Sequence, residues 1–232
     1  MTTKYTAIII EPRKHRALHF VLDNFLSNLS DDWSIILFHG NTNIEYAQNI
    51  VKCLEEKYSN RITLFHLNVN NLNSREYSHV LMTEMLYHYI PTETFLVFQT
   101  DSMILTENKD QINDFLQYDY VGAPWNWASD HPVGNGGLSL RKKSKMLEII
   151  KHKGYTNDNE DVYFAHNIPN TIPYNVPTGS EASKFSVETI FYDSPFGIHN
   201  CWRYLPKENM DFLKNKYNSI QELIDLQSIS NL

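Results

Sequence analysis

Thr94-Phe-Leu-Val-Phe-Gln-Thr-Asp-Ser-Met-Ile-Leu105 is the stretch on which the fold turns. Phe95 to Phe98 is an unbroken apolar run, the pattern of a strand buried on both faces. It stops at a polar break, Gln99-Thr-Asp-Ser102, and an apolar run resumes at Met103. A buried strand that delivers one carboxylate to its C-terminal end is how an open α/β sheet presents a ligand to its crevice. Asp101 has two readings on these residues alone. It begins an Asx-turn after a core strand, or it holds a divalent metal that in turn holds a diphosphate.

The segments upstream set the context. Thr6 to Ile10 is β-branched and apolar and predicts a first strand, closed by Pro12. Apolar residues at 18, 21, 22, 25, 26 and 29 have helical spacing. Trp33 to Phe38 predicts a second strand, Tyr46 to Tyr58 a second helix with Ala47, Ile50, Val51 and Leu54 on one face, and Ile62 to Leu67 a third strand. Strand, helix, strand, helix, strand is the order of a parallel sheet with right-handed crossovers. The unit lacks Gly-x-Gly-x-x-Gly, which argues against a nicotinamide cofactor. After the Asn-rich loop 68–74, one helix is predicted over Arg75 to Tyr89, with Val80, Leu81, Met85 and Leu86 inward. Arg75 at its start meets a phosphate or a carboxylate, or stands in solvent.

Downstream, a short helix closes at Asn113 to Leu116, and Tyr118 to Gly122 predicts a further strand. Most of the glycines fall between 122 and 179. Gly134, Gly136 and Gly137 crowd just before the apolar strand that ends in Leu-Ser-Leu-Arg141, so the backbone there comes close to something. That neighbour is a bound sugar or pyrophosphate, or the loop is a tight turn. From Pro206 the chain is polar, with helices predicted over 207–217 and 219–226. The expected organisation is one α/β domain over 1–205 and a helical tail over 206–232 packed on it.

The bulk numbers bound the partners. The chain has 232 residues, 42% of them hydrophobic, enough for one full core. Its net charge of -7 leaves no basic footprint for nucleic acid. An acidic protein that takes an anionic substrate needs a metal ion or placed Arg and Lys. The apolar run at the N-terminus is too short for a signal peptide or a membrane span. Cys53 and Cys201 have neither metal-like nor redox-like spacing, and read as reduced thiols in a cytoplasmic protein.

Two later stretches carry chemistry. In Asn157-Asp-Asn-Glu-Asp161-Val-Tyr-Phe, Asp158 suits an N-cap, which puts Glu160 and Asp161 in the first helical turn. The helix dipole favours carboxylates there. The functional reading is that Asp161 faces a cleft as general base for an incoming hydroxyl. In Ser194-Pro-Phe-Gly-Ile-His199-Asn-Cys-Trp202, His199 is a candidate metal ligand through neutral imidazole. Trp125 and Trp127 stack on a sugar or join an aromatic core cluster.

Taken together, Phe-Gln-Thr-Asp-Ser102, Val121-Gly-Ala-Pro-Trp125, Gly134-Asn-Gly-Gly-Leu-Ser-Leu-Arg141, Glu160-Asp-Val-Tyr-Phe164 and the late His199 resemble the GT-A glycosyltransferase fold, and more narrowly a family of uncharacterised GT-A-like domains. The resemblance runs from about Tyr5 to Trp202. It implies a Rossmann-type, mixed, mostly parallel sheet flanked by helices in a single domain. It implies transfer of a sugar from a nucleotide-sugar donor to a glycan or other hydroxyl-bearing acceptor, with Mn2+ or Mg2+ bound by Asp101 and His199. Asp161 matches the catalytic base, which implies inversion. Glu11, Arg13, Arg75, Gln99, Asp101, Gly136 and Gly137 are the implied donor contacts, and Glu160, Trp125 and Trp127 the sugar or acceptor contacts. Gln99 stands where the metal-binding motif has its first Asp, which supports a rival reading as a non-catalytic binding relative. A two-metal phosphohydrolase would need more clustered carboxylates.

Overall fold

The structure is a computed structural model that describes residues 3–127 and 134–227. Its centre is a six-stranded sheet in the order β3-β2-β1-β4-β7-β6. Four strands, β1 (Tyr5–Ile10), β2 (Trp33–His39), β3 (Ile62–His66) and β4 (Thr94–Phe98), are mutually parallel. They are linked by α1 (Leu18–Asn28), α2 (Ile44–Tyr58), α3 (Ser74–Leu81) and α4 (Glu84–His88). Beyond β5 (Ser102–Ile104) and α5 (Ile112–Phe115), β6 (Tyr120–Gly122) and β7 (Leu138–Lys142) complete the sheet, β7 running antiparallel to both β4 and β6. Helices α6 (Lys143–Lys153), α7 (Glu160–Ala165) and α8 (Gly179–Phe185) follow, then β8 (Ser186–Val187), β9 (Gly197–His199), α9 (Lys207–Lys216) and α10 (Ser219–Gln227). The whole is a mixed α/β domain with a mostly parallel sheet between helices, as the segment order predicts.

The apolar runs form central strands because both faces of the sheet are covered. Alternate residues of a strand point to opposite faces. Ala7 and Ile9 of β1 and Leu96 and Phe98 of β4 join a core with α1, α2 and the tail helices. Ile8, Ile10, Phe95 and Val97 face the other way, into a core with Leu86, Met146, Tyr163 and Phe164. Phe25 of α1 stacks on Phe98 at 3.8 Å between ring centroids. Met210, Leu213, Ile220 and Leu223 of α9 and α10 lie in the first core.

Several expectations need correction. The helix predicted over 75–89 is two helices, since Thr83 is extended and its hydroxyl donates to the Val80 carbonyl at 2.8 Å. The break turns Met85 outward, 65% exposed, where a continuous helix would have buried it. The apolar run that resumes at Met103 forms β5, which belongs to a second, three-stranded sheet in the order β5-β9-β8. Asn24 of α1 fixes β5 there, accepting from the Ile104 amide and donating to its carbonyl. The N-cap of α7 is Asn159, one residue after Asp158. Helix α6 is an element the spacing argument did not supply.

Candidate functional site

Two features of topology define the site. The main sheet reverses its winding between β1 and β4, the two strands that follow from opposite directions of chain progression. A crevice at the carboxyl ends of such a pair is the usual ligand position in open α/β sheets. A cleft of about 240 Å³ lies there, walled by Glu11, Pro12 and Arg13 after β1, Gln99 to Asp101 after β4, and Asn71 to Ser74 with Tyr77 opposite. Glu11 is buried and bound by its neighbour: Arg13 donates to it through its backbone amide, Nε and Nη2 at 2.8–2.9 Å. Glu11, Arg13, Gln99 and Asp101 are therefore brought together. Arg75 is not; it is exposed on α3 and outside the walls of this cleft.

The small sheet is the second feature. Its central strand β9 ends at His199, flanked by β5 in antiparallel and β8 in parallel register. Asp101 precedes β5 and Glu188 follows β8, so both carboxylates arrive at the same end as the imidazole. His199 Nε2 lies 3.3 Å from Asp101 Oδ1, and Nδ1 lies 3.2 Å from Glu188 Oε1. Burial alone would lower the imidazole pKa, but the pair with Asp101 and then Glu188 lifts it to about 10. Burial would likewise raise Asp101; His199, and more distantly Arg203, hold it below the usual carboxylate value.

Asp101 Oδ1 and both ring nitrogens of His199 are buried, and none of the three makes an aligned hydrogen bond. Facing donor atoms left in this state suit a cation. Adjacent ligands about 2.1 Å from an octahedral ion stand about 3 Å apart, close to the separation here. Among the described residues no group of three or more His, Cys, Asp or Glu is arranged to hold a metal ion. A cation at this pair would take its remaining ligands from substrate or water.

The glycine loop serves these side chains directly. A methyl group on Gly137 would collide with His199 Nε2, and one on Gly136 with Glu160 Oε1. The close neighbours of this backbone on the side a Cβ would occupy are thus an imidazole and a carboxylate of the chain itself. Beneath it Arg141, at 0% exposure, pairs with Glu160 Oε2 at 2.8 Å and lies over the rings of Tyr120 and Phe164. Glu160, 4% exposed, is committed to that pair and is not open to an acceptor, which corrects its expected role.

Asp161, the next residue, remains partly accessible. Burial and the adjacent Glu160 charge push its pKa up to about 6, against the pull of the Val162 and Gly136 amides and of Arg141. A carboxylate poised there takes a proton readily near neutral pH. Trp125 is buried and Trp127 is 62% exposed; their rings stack at 4.8 Å, with His166 stacked on both. One indole belongs to the fold and the other offers a face to solvent.

Sequence reasoning missed Glu188, Asn135 and the burial of Arg141. Asn135 lay inside the Gly134–Arg141 stretch. Glu188 follows a strand of only two residues, too short to leave a periodic signal.

Residues 61–199 match the family described as "Protein of unknown function (DUF5672)". The chain belongs to that family. A sequence search of curated proteins returned no match. Among solved structures it is similar to the glycosyltransferase GlyE of Streptococcus pneumoniae, with a TM-score of 0.58 at 10% identity, covering 99% of this chain and 61% of that one. It is similar to the bifunctional glycosyltransferase WbbM, with a TM-score of 0.56 at 9% identity over 97% of this chain and 52% of that one. It is also similar to the mannosyltransferase PcManGT of Pyrobaculum calidifontis, solved with GDP-Man and Mn2+, with a TM-score of 0.51 at 11% identity over 71% of this chain and 51% of that one. The chain spans roughly half to three-fifths of the length of these structures. The likeness shows a glycosyltransferase-type fold. Among the described residues, no helix is long and apolar enough to cross a membrane.

Proposed function

We propose that this chain is a metal-dependent glycosyltransferase that moves a sugar from a nucleotide-sugar to a hydroxyl acceptor with inversion. The observation that carries the reading is that Asp101, which lines the switch-point cleft, meets the buried imidazole of His199 behind it. The cleft takes the nucleoside diphosphate, with Arg13, Gln99 and the amide side chains of Asn71 and Asn73 along it. Asp101 and His199 would hold Mn2+ or Mg2+, whose positive charge offsets the charge that grows on the diphosphate. The acceptor oxygen bonds to the anomeric carbon as the bond from that carbon to the phosphate oxygen breaks. The electron pair leaves with the diphosphate, and the acceptor proton passes to Asp161. Trp127 supplies an apolar face for a sugar ring. The free thiols of Cys53 and Cys201 support a reducing, cytoplasmic setting.

The test is direct. Purified protein is incubated with Mn2+ and a panel of nucleotide-sugars, with and without glycan acceptors. Donor consumption that is lost in Asp101→Asn and His199→Asn is the expected result. If no donor is consumed or bound, and no nucleoside diphosphate raises the melting temperature, the reading fails.

Gln99 in the place of a carboxylate supports a second reading, a binding module of the same fold without turnover. Asp161→Asn separates the two. An enzyme loses turnover by about 10²–10⁴-fold while keeping the donor, whereas a binding module is unchanged.

A further inference from the structure

We propose that Glu188 is the residue that orients His199, and that Asn135 holds Glu188 in place. This rests on the reading of Asp101 and His199 as a cation-binding pair, and adds a support to it that the sequence did not suggest.

Glu188 is 6% exposed, with Oε1 3.2 Å from His199 Nδ1. A buried carboxylate in that position must have its oxygens engaged. The Asn135 amide donates to the same Oε1 through Nδ2 at 2.8 Å. The other end of Asn135 is also engaged, its Oδ1 accepting from the Gly137 amide at 2.9 Å. Gly137 in turn is the backbone that packs against His199 Nε2. The four residues form a closed ring of contacts around one imidazole: carboxylate on Nδ1, glycine backbone against the far edge, and an asparagine tying the two together.

The consequence is chemical. Glu188 Oε1 stands 3.2 Å from Nδ1 as an ion-pair partner, without an aligned hydrogen bond, and a carboxylate placed there holds that edge of the ring and leaves Nε2 turned to Asp101. Imidazoles that bind metals commonly have such a partner, and its loss typically weakens binding by about 10–100-fold. Asn135 is suited to its task because an amide both donates and accepts. It bonds an anionic oxygen on one side and a backbone N–H on the other. Asp at this position would put a second carboxylate against Glu188. Glu188 is a positioning residue here, acting through His199.

The experiment compares wild type, Glu188→Ala, Glu188→Gln, Asn135→Ala and Asp101→Asn. One readout is the proton NMR signal of the His199 ring N–H, assigned with His199→Asn. The other is the affinity for Mn2+ alone, followed by the electron paramagnetic resonance of the free ion. The wild type should show a downfield ring proton that exchanges slowly. Glu188→Ala should lose it and bind Mn2+ about 10–100-fold more weakly. Glu188→Gln keeps an acceptor oxygen, so it should keep the proton signal and lie between the two in affinity. It also guards against a folding defect in the alanine variant. An unchanged ring signal in Glu188→Ala overturns the proposal, as does equal Mn2+ affinity in wild type and Glu188→Ala where Asp101→Asn weakens it. If the signal depends on Glu188 but Asp101→Asn and wild type bind Mn2+ alike, the orienting role stands and the cation reading falls.

Discussion

The imidazole of His199 occupies the space that any side chain on Gly137 would need. Glycine at 137 is therefore required by a neighbour distant in sequence, and the loop and the end of β9 must have fitted each other as a pair. Gly137→Ala should push the ring off its line to Asp101, because Glu188 blocks retreat on the other side. Overpacking of this kind costs about 1–3 kcal/mol. A urea denaturation series should show that loss, and donor turnover should fall far more than stability does.

Asp161 supplies a pH signature. Its carboxyl is raised to about 6 in the folded protein from a reference value of 3.8. A raised group favours the folded state when protonated, so that contribution is present at low pH and is lost as pH rises through about 6. At pH 8 the ionised carboxylate therefore costs stability. Asp161→Asn should raise the melting temperature at pH 8, by the equivalent of roughly 1–3 kcal/mol, and leave it unchanged near pH 3. The same substitution should lower turnover by about 10²–10⁴-fold. In the wild type kcat/KM should fall as pH drops below about 6, where the base is protonated. Stability gained with activity lost marks a carboxylate kept for function.

The pair Arg141–Glu160 lies one residue away and behaves oppositely. Both partners are buried, so removing one leaves an uncompensated charge. Glu160→Gln or Arg141→Met should each destabilise by about 3–5 kcal/mol in urea unfolding. The double variant Arg141→Met with Glu160→Met should recover a large part of that loss, because two apolar side chains leave no orphaned charge. A double variant no better than the singles would show that the aromatic shelf formed by Tyr120 and Phe164 needs the guanidinium itself.

The central sheet was legible because its strands are buried on both faces, and continuous apolar runs such as Ile8–Ile10 and Phe95–Phe98 record that burial directly. The long helices α1 and α2 were legible from their spacing. What could not be read was set by partners distant in sequence. Thr83 breaks a helix by bonding its own upstream carbonyl, which a count of apolar positions does not register. The second sheet is built from strands of two or three residues, too short for any period to appear. Asp101 and His199 were found as residue types on suggestive segments, whereas Glu188 has no such segment and is visible only where β8 lies beside β9. Glu160 misled for a related reason. In the sequence it is an acidic residue at a helix start, and only the burial of Arg141 shows that its charge is already matched.

Trp125 and Trp127 separate packing from recognition. Trp125 is buried against Ala165 and Val162, with Gly134 held close by its indole. Trp125→Ala should destabilise by about 3–5 kcal/mol, as aromatic truncations in a core do. Trp127 is mostly exposed, with its ring stacked on both Trp125 and His166. Trp127→Ala should change the unfolding midpoint little, since surface substitutions are usually within about 0.5 kcal/mol. If its open face receives a sugar ring, the substitution should instead raise the KM for a glycan acceptor while leaving the KM for the donor unchanged. Initial rates with each substrate varied in turn would measure this. A change in the donor constant alone would place Trp127 on the donor side, and a change in neither would confine its role to packing on Trp125 and His166.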